Sequence, residues 1–253
     1  MTKVAERRGM DLTVNVRTDA NAIRVFPAKT ELLPDIPVHS IHDRSWVWIL
    51  YKFTQKILLV GTYIFIHVFT RFSIEGKENL KNINKGPVLI VANHKSYYDP
   101  PMIGLAFPFF SKIYPFRFMI WDGFFIKLKT RLLFKLMGCY PAYRKQGIEK
   151  SLAAPIYLLN HGETVIYFPE GKCIRQDELG EPKRGIGMLV SEFPNIPIVP
   201  IAIKGTHKIS SNIFRRPKVK MKIGEPFTLK LNVMRSPDQT AEMVMEEIAK
   251  LYV

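Results

Sequence analysis

The sequence predicts an α/β fold, a mixed central sheet flanked by helices, preceded by an N-terminal membrane-associating helix. Three observations carry the prediction. Short apolar runs at 88–92, 164–168 and 196–203, bounded by turn residues, read as buried strands. Helical patterns separate and follow them, and strand–helix alternation over 80–253 is the pattern of an α/β layer architecture. Ahead of this region, residues 45–70 form one long, mostly apolar stretch.

Residues 1–44 are a polar extension with seven basic and six acidic side chains. Alternation at 12–16 and 22–26 allows short strands there, and Pro34 and Pro37 then break the chain. The second unit, 45–72, is a hydrophobic helical segment for which Ser45 is a candidate N-cap. Its uncharged run, 57–70, has 14 residues, short of the roughly 20 that span a bilayer. Extension back to Trp46 reaches that length but takes in Lys52, Gln55 and Lys56, and the two lysines share a helical face. Trp46, Trp48 and Tyr51 suit a membrane–water interface. An interfacial helix, a span and a buried core helix are all compatible with this pattern.

The third unit, 73–253, is the α/β domain. After Gly86-Pro87 comes the strand at 88–92, then a loop and a short helix at 101–107 closed by Pro108. A basic, apolar helix is expected at 126–137, and another at 146–160 that Pro155 should kink or interrupt. The strand at 164–168 follows. Pro197 and Pro200 place the 196–203 strand at a sheet edge, or themselves at its ends. A strand at 219–223 and a helix over 236–253, opened by Ser236-Pro237, complete the order. No repeat is visible.

Apolar residues make up 47% of the 253, enough for a core. The net charge of +15 is uneven, because 81–160 alone carries 12 basic and 3 acidic residues. Such a balance favours anionic partners. Within 112–145, eight basic residues interleave with large apolar ones against Asp122 alone. That texture suits an anionic bilayer surface better than single-stranded nucleic acid, because a nucleic-acid module has no use for the 45–70 stretch. No nucleic-acid partner is expected. The two cysteines, Cys139 and Cys173, exclude a disulfide scaffold and a four-cysteine zinc site. His39 and His42 lack a cysteine partner nearby, so no metal is expected. The first residues lack a continuous apolar run, so no cleavable signal peptide is expected.

The candidate chemistry lies in Asn93-His94-Lys95-Ser96-Tyr97-Tyr98-Asp99-Pro100, directly after a buried strand. His94 and Asp99 are five residues apart, and on a regular helix they would diverge by roughly 140°. Pro100 disfavours helix at Asp99, so a turn is expected that folds the carboxylate back to the imidazole. A carboxylate on one ring nitrogen makes the other a general base. Alternatively, Asp99 caps a helix beginning at the prolines. The second stretch, Phe168-Pro169-Glu170-Gly171-Lys172, ends a strand on a tight turn. A G-x-S-x-G elbow and a phosphate loop are both absent.

Together the two stretches resemble the PlsC-type 1-acylglycerol-3-phosphate O-acyltransferases, a superfamily marked by N-H-x4-D and F-P-E-G blocks in this order. Gly138–Arg144 and Ile196–Ile201 look like its weaker second and fourth blocks, and Lys183-Arg184-Gly185 like its lysine–glycine step. The likeness covers about 75–225. It implies a glycerolipid-acyltransferase-like fold and acyl transfer from acyl-CoA or acyl-carrier protein, with no cofactor, to a lysophospholipid hydroxyl. The acceptor expected first is 1-acylglycerol 3-phosphate. It further implies that His94 is the base and that Asp99 orients it. Asn93 would support the turn, Arg144 would bind phosphate, Glu170 and Gly171 would wall the acceptor site, and Pro200 would shape the acyl channel. The run Lys172-Cys173-Ile174-Arg175 departs from the family's small hydroxyl residue and arginine after F-P-E-G. Lys172 or Arg175 would have to replace that charge, which leaves another lysolipid, such as a lyso-ornithine lipid, open as acceptor. A non-enzymatic protein that binds anionic membranes is the competing class. The expected location is the cytoplasmic side of a membrane.

Overall fold

The structure, a computed structural model, describes residues 46–143, 146–229 and 236–252. The polar extension over 1–44, with its expected strands, lies outside the described residues. Helix α1 (Trp46–Phe69) leads into strand β1 (Arg71–Glu75). There follow β2 (Val88–Ala92), α2 (Asp99–Gly104), β3 (Phe116–Ile120), α3 (Leu128–Leu136) and β4 (Cys139–Pro141). Then come α4 (Ile148–Asn160), β5 (Thr164–Tyr167), α5 (Arg184–Glu192) and β6 (Ile198–Lys204). The short α6 (Ile209–Asn212), β7 (Lys218–Ile223) and α7 (Pro237–Leu251) close the order.

The seven strands form one sheet, ordered β1-β7-β6-β2-β5-β3-β4. All neighbours are parallel except β6 and β7, so the sheet is mixed. Strand β2 is central and buried along its whole length, which explains its unbroken apolar run. Its side chains divide between two cores. Val88, Ile90 and Ala92 face a layer built with α1 and α2, whereas Leu89 and Val91 face α4, α5 and α7. Loops leaving the ends of β2 and β5, which are hydrogen-bonded neighbours, therefore emerge side by side at the carboxyl edge.

Strands β1, β3 and β4 are not marked by apolar runs. In β3, Arg117 interrupts the run, yet its side chain is buried against Glu163 and lies 4.8 Å over the Tyr51 ring. Pro200 sits inside β6, between β2 and β7, not at an edge or strand end. Its carbonyl accepts from Gly224 N–H at 2.9 Å, just past the end of β7. A strand residue's nitrogen and carbonyl face the same neighbour, so the missing N–H falls where the β7 ladder has run out. Helix α4 runs uninterrupted through Pro155 because one lost backbone bond is outweighed by five buried side chains on its inner face.

Helix α1 is docked, not free. Tyr51, Gln55, Leu59 and Ile66 are buried against the domain. The Gln55 amide donates to Phe116 O at 2.7 Å and Met137 O at 2.9 Å and accepts from Phe116 N–H at 2.9 Å. Its other face exposes Ile49, Phe53, Ile57, Val60, Ile64 and Val68. The stretch Ile49–Phe69 is long and apolar enough to cross a membrane. The basic middle is narrower on the surface than its sequence implies, because Phe116 and Phe118 are core residues. Exposed among its described residues are Trp121, Phe124, Ile126, Leu128, Leu132 and Leu133, together with Lys112, Lys127 and Lys129.

Candidate active site

The turn after β2 forms around one carboxylate. Asp99 is fully buried, and its Oδ2 accepts from Lys95 N–H at 2.6 Å, Ser96 N–H at 2.7 Å and His94 Nδ1 at 2.9 Å. Its Oδ1 accepts from the Thr206 hydroxyl at 2.7 Å. A carboxylate cannot donate, so the imidazole proton sits on Nδ1 and Nε2 carries the free lone pair. Asp99 folds back to His94 as the turn reading expected; it does not cap α2, whose N-cap is Tyr98 with no side-chain cap hydrogen bond, and it is itself the first helical residue despite the proline that follows it. The His94 side chain is 15% exposed. Its ring stacks on Phe168 at a centroid distance of 4.2 Å and meets Tyr97 edge-on at 6.5 Å.

The second loop holds the first. Glu170 is buried, with Oε2 accepting from His94 N–H at 2.7 Å and Oε1 from Gly180 N–H at 2.8 Å. Ile174 N–H donates back to His94 O at 2.7 Å. Glu170 thus clamps backbone to backbone. Gly171 takes φ +64°, which lets the chain turn after it, and Lys183 N–H caps Pro169 O at 2.8 Å. Asn93 is also internal, exchanging two hydrogen bonds with the backbone of Ile203, at 2.7 and 2.8 Å. It extends the β2–β6 pairing by one residue and so aims the turn.

The remaining expected residues divide by position. Lys172, Arg175 and Lys183 are exposed on the second loop. The Arg175 guanidinium lies 5.7 Å from the Tyr97 ring, which places a cation beside the His94 opening. Pro200 is a buried sheet residue. Arg144 lies outside the described residues, although Tyr143 before it adopts φ +45°. A hollow of about 230 Å³, lined by Phe125, Ile126, Pro141, Tyr143 and others, opens at the ends of β3 and β4. Cys173 is half-buried, and burial pushes its thiol up. No group of three metal-ligating side chains occurs among the described residues. Thr206 and Lys95 have no sequence signal as parts of this site. Thr206 reaches Asp99 across 107 residues, and a lysine one place past the histidine reads as surface.

The fold and this loop pair define an α/β protein that holds a carboxylate-oriented imidazole at the carboxyl edge of its sheet. The family model described as Acyltransferase matches residues 71–204, more than half of the chain, and the chain belongs to that family. It is 33% identical over 167 residues to a probable 1-acyl-sn-glycerol-3-phosphate acyltransferase of Mycoplasma genitalium, covering 64% of this chain and 59% of the relative. It is 30% identical over 184 residues to the chloroplastic 1-acyl-sn-glycerol-3-phosphate acyltransferase LPAT1 of Arabidopsis thaliana, covering 69% of this chain and 49% of the relative. The match thus spans about half the length of these curated relatives. The crystal structure of PlsC from Thermotoga maritima shares the fold, with a TM-score of 0.56 at 22% identity over 79% of this chain and 80% of that one.

Proposed function

We propose that the chain transfers a fatty acyl group from acyl-CoA or acyl-carrier protein to the free hydroxyl of 1-acylglycerol 3-phosphate, giving phosphatidate. The carrying observation is the His94–Asp99 pair, bonded at 2.9 Å through Nδ1 with the other ring nitrogen free. Nε2 takes the proton of the acceptor hydroxyl as its oxygen attacks the thioester carbonyl. Buried Asp99 stabilises the imidazolium that forms. The tetrahedral adduct collapses with cleavage of the C–S bond, and the proton passes from His94 to the departing thiolate. No acyl-enzyme is needed. The phosphate acceptor is supported by Arg175 beside the site, with Lys172 and Lys183 on the same loop; the phosphate role of Arg144 rests on the family resemblance alone. The altered run from Lys172 to Arg175 supports a second reading, another lysolipid as acceptor, by the same chemistry.

The membrane is the expected location. The docked α1 leaves an apolar face outward, and α3 packs beside it with exposed leucines and lysines. This supports an interfacial helix held on an anionic surface, because a span would have to abandon the Gln55 contacts. The test is thiol release from a long-chain acyl-CoA in detergent micelles, with and without lysophosphatidate. Release that needs the acceptor, yields phosphatidate and vanishes in His94→Ala supports the reading. Turnover retained in His94→Ala contradicts the base, and release with other lysolipids alone moves the acceptor.

A further inference from the structure

The second face of the catalytic turn carries a charge that the chemistry above does not use. Lys95 follows the base directly, and its side chain is fully buried, among the largest side chains in the molecule to be so. A buried ammonium is retained where charge or hydrogen bonds answer it. Three observations identify what answers this one. Its Nζ donates to the Glu178 carbonyl, in the loop that follows Gly171. It lies 5.4 Å from the centre of the Tyr252 ring, at the end of α7, and Lys204 approaches that ring at 4.6 Å. Burial pushes its ammonium down, and Glu170, Asp177, Asp99 and the Cys173 thiol act in the opposite sense. Two of these carboxylates, Asp99 and Glu170, are themselves buried and hold the imidazole and backbone of His94.

We propose that Lys95 is a positioning residue for His94: its buried ammonium balances the Asp99 and Glu170 carboxylates and, by pinning the Glu178 carbonyl, locks the two catalytic loops against each other. The backbone of Lys95 serves the same end, since its N–H donates to Asp99 Oδ2 at 2.6 Å. The proposal rests on the reading of His94 as the base. It makes the end of α7 part of the active-site support, because Tyr252 forms the apolar side of the lysine's pocket.

The test uses the full chain in detergent micelles with Lys95→Met, which keeps length and apolar volume and removes charge and donor. The groups facing Lys95 are Asp99 on its own turn and Glu170, Cys173 and Asp177 on the second loop. His207 lies after β6, and Tyr252 lies at the end of α7. The expected result is a kcat lower by about ten- to a hundredfold with KM for the thioester unchanged. A wild-type kcat in Lys95→Met overturns the proposal. If Lys95→Met does not fold, Lys95→Gln carries the test, since it keeps a donor for Glu178 and loses the charge. Wild-type values in Lys95→Gln overturn the proposal equally. Inactive wild-type protein with an inactive His94→Ala marks failure of the acyl-transfer reading instead, which distinguishes the two.

Discussion

Asp99 has its acceptor capacity filled by four donors, three from its own turn and one from Thr206. The imidazole is therefore held in one orientation, which is where a general base, the role proposed for His94, gains its effectiveness. Glu170 supplies the matching restraint, with one oxygen on His94 N–H and the other on Gly180 N–H. Glu170→Gln tests it, because the amide can accept from only one of these and sets an NH2 against the other. The variant should lose about 1–3 kcal/mol of stability and about tenfold or more in kcat, read by thermal melting and steady-state kinetics. An unchanged Tm and kcat would contradict the clamp. The His94–Asp99 pair was legible in the sequence because both partners sit in one eight-residue stretch, where a proline constrains the turn. Thr206 and Lys95 were not, since their roles come from contacts across 107 and 83 residues. The inward aim of Glu170 was not legible either, because spacing says nothing of which way a carboxylate turns.

At the scale of elements, the apolar runs of β2, β5 and β6 and the alternation of β7 could be read directly, whereas β1, β3 and β4 could not. Arg117 hides β3 because its compensation, Glu163, arrives from 46 residues away. Pro200 argued against an interior place for β6, and only the length of β7 makes that place tolerable. Helix α7 was legible at its start, where Ser236 and Gln239 form a reciprocal capping box. Its close contact with α5 was not legible. A Cβ on Gly187 would fall 1.7 Å from Pro237 O and 3.0 Å from Ala241 N, both backbone atoms. Gly187→Ala must therefore part the two helices. It should destabilise the fold by about 2–4 kcal/mol, at or above the usual cost of overpacking, because backbone cannot swing aside. Chemical denaturation checks this, and a variant as stable as the parent would contradict the packing described.

For the whole molecule, the central fact is that one side of the sheet carries a helix with an exposed apolar face while its carboxyl edge carries the His94–Asp99 pair. The apolar face of α1 and the cations that make up the net charge of +15 favour an anionic bilayer together. Binding to vesicles containing anionic lipid should weaken as salt rises. It should fall by about a hundredfold or more in Phe53→Glu/Ile64→Glu, since each of the two lost apolar contacts is worth about 1.5–3 kcal/mol. Salt-independent binding, or wild-type binding by the double variant, would contradict this orientation. The apolar stretch was legible from composition, but its docked face was not, because Gln55 reads as a flaw in a hydrophobic run until Phe116 and Met137 appear beside it. The most direct test of the account remains acceptor-dependent thiol release from acyl-CoA by the wild-type chain and by His94→Ala at equal occupancy of the folded state. Phosphatidate should form with the first and at least about a thousandfold more slowly with the second; comparable turnover by the two would contradict His94 as the base.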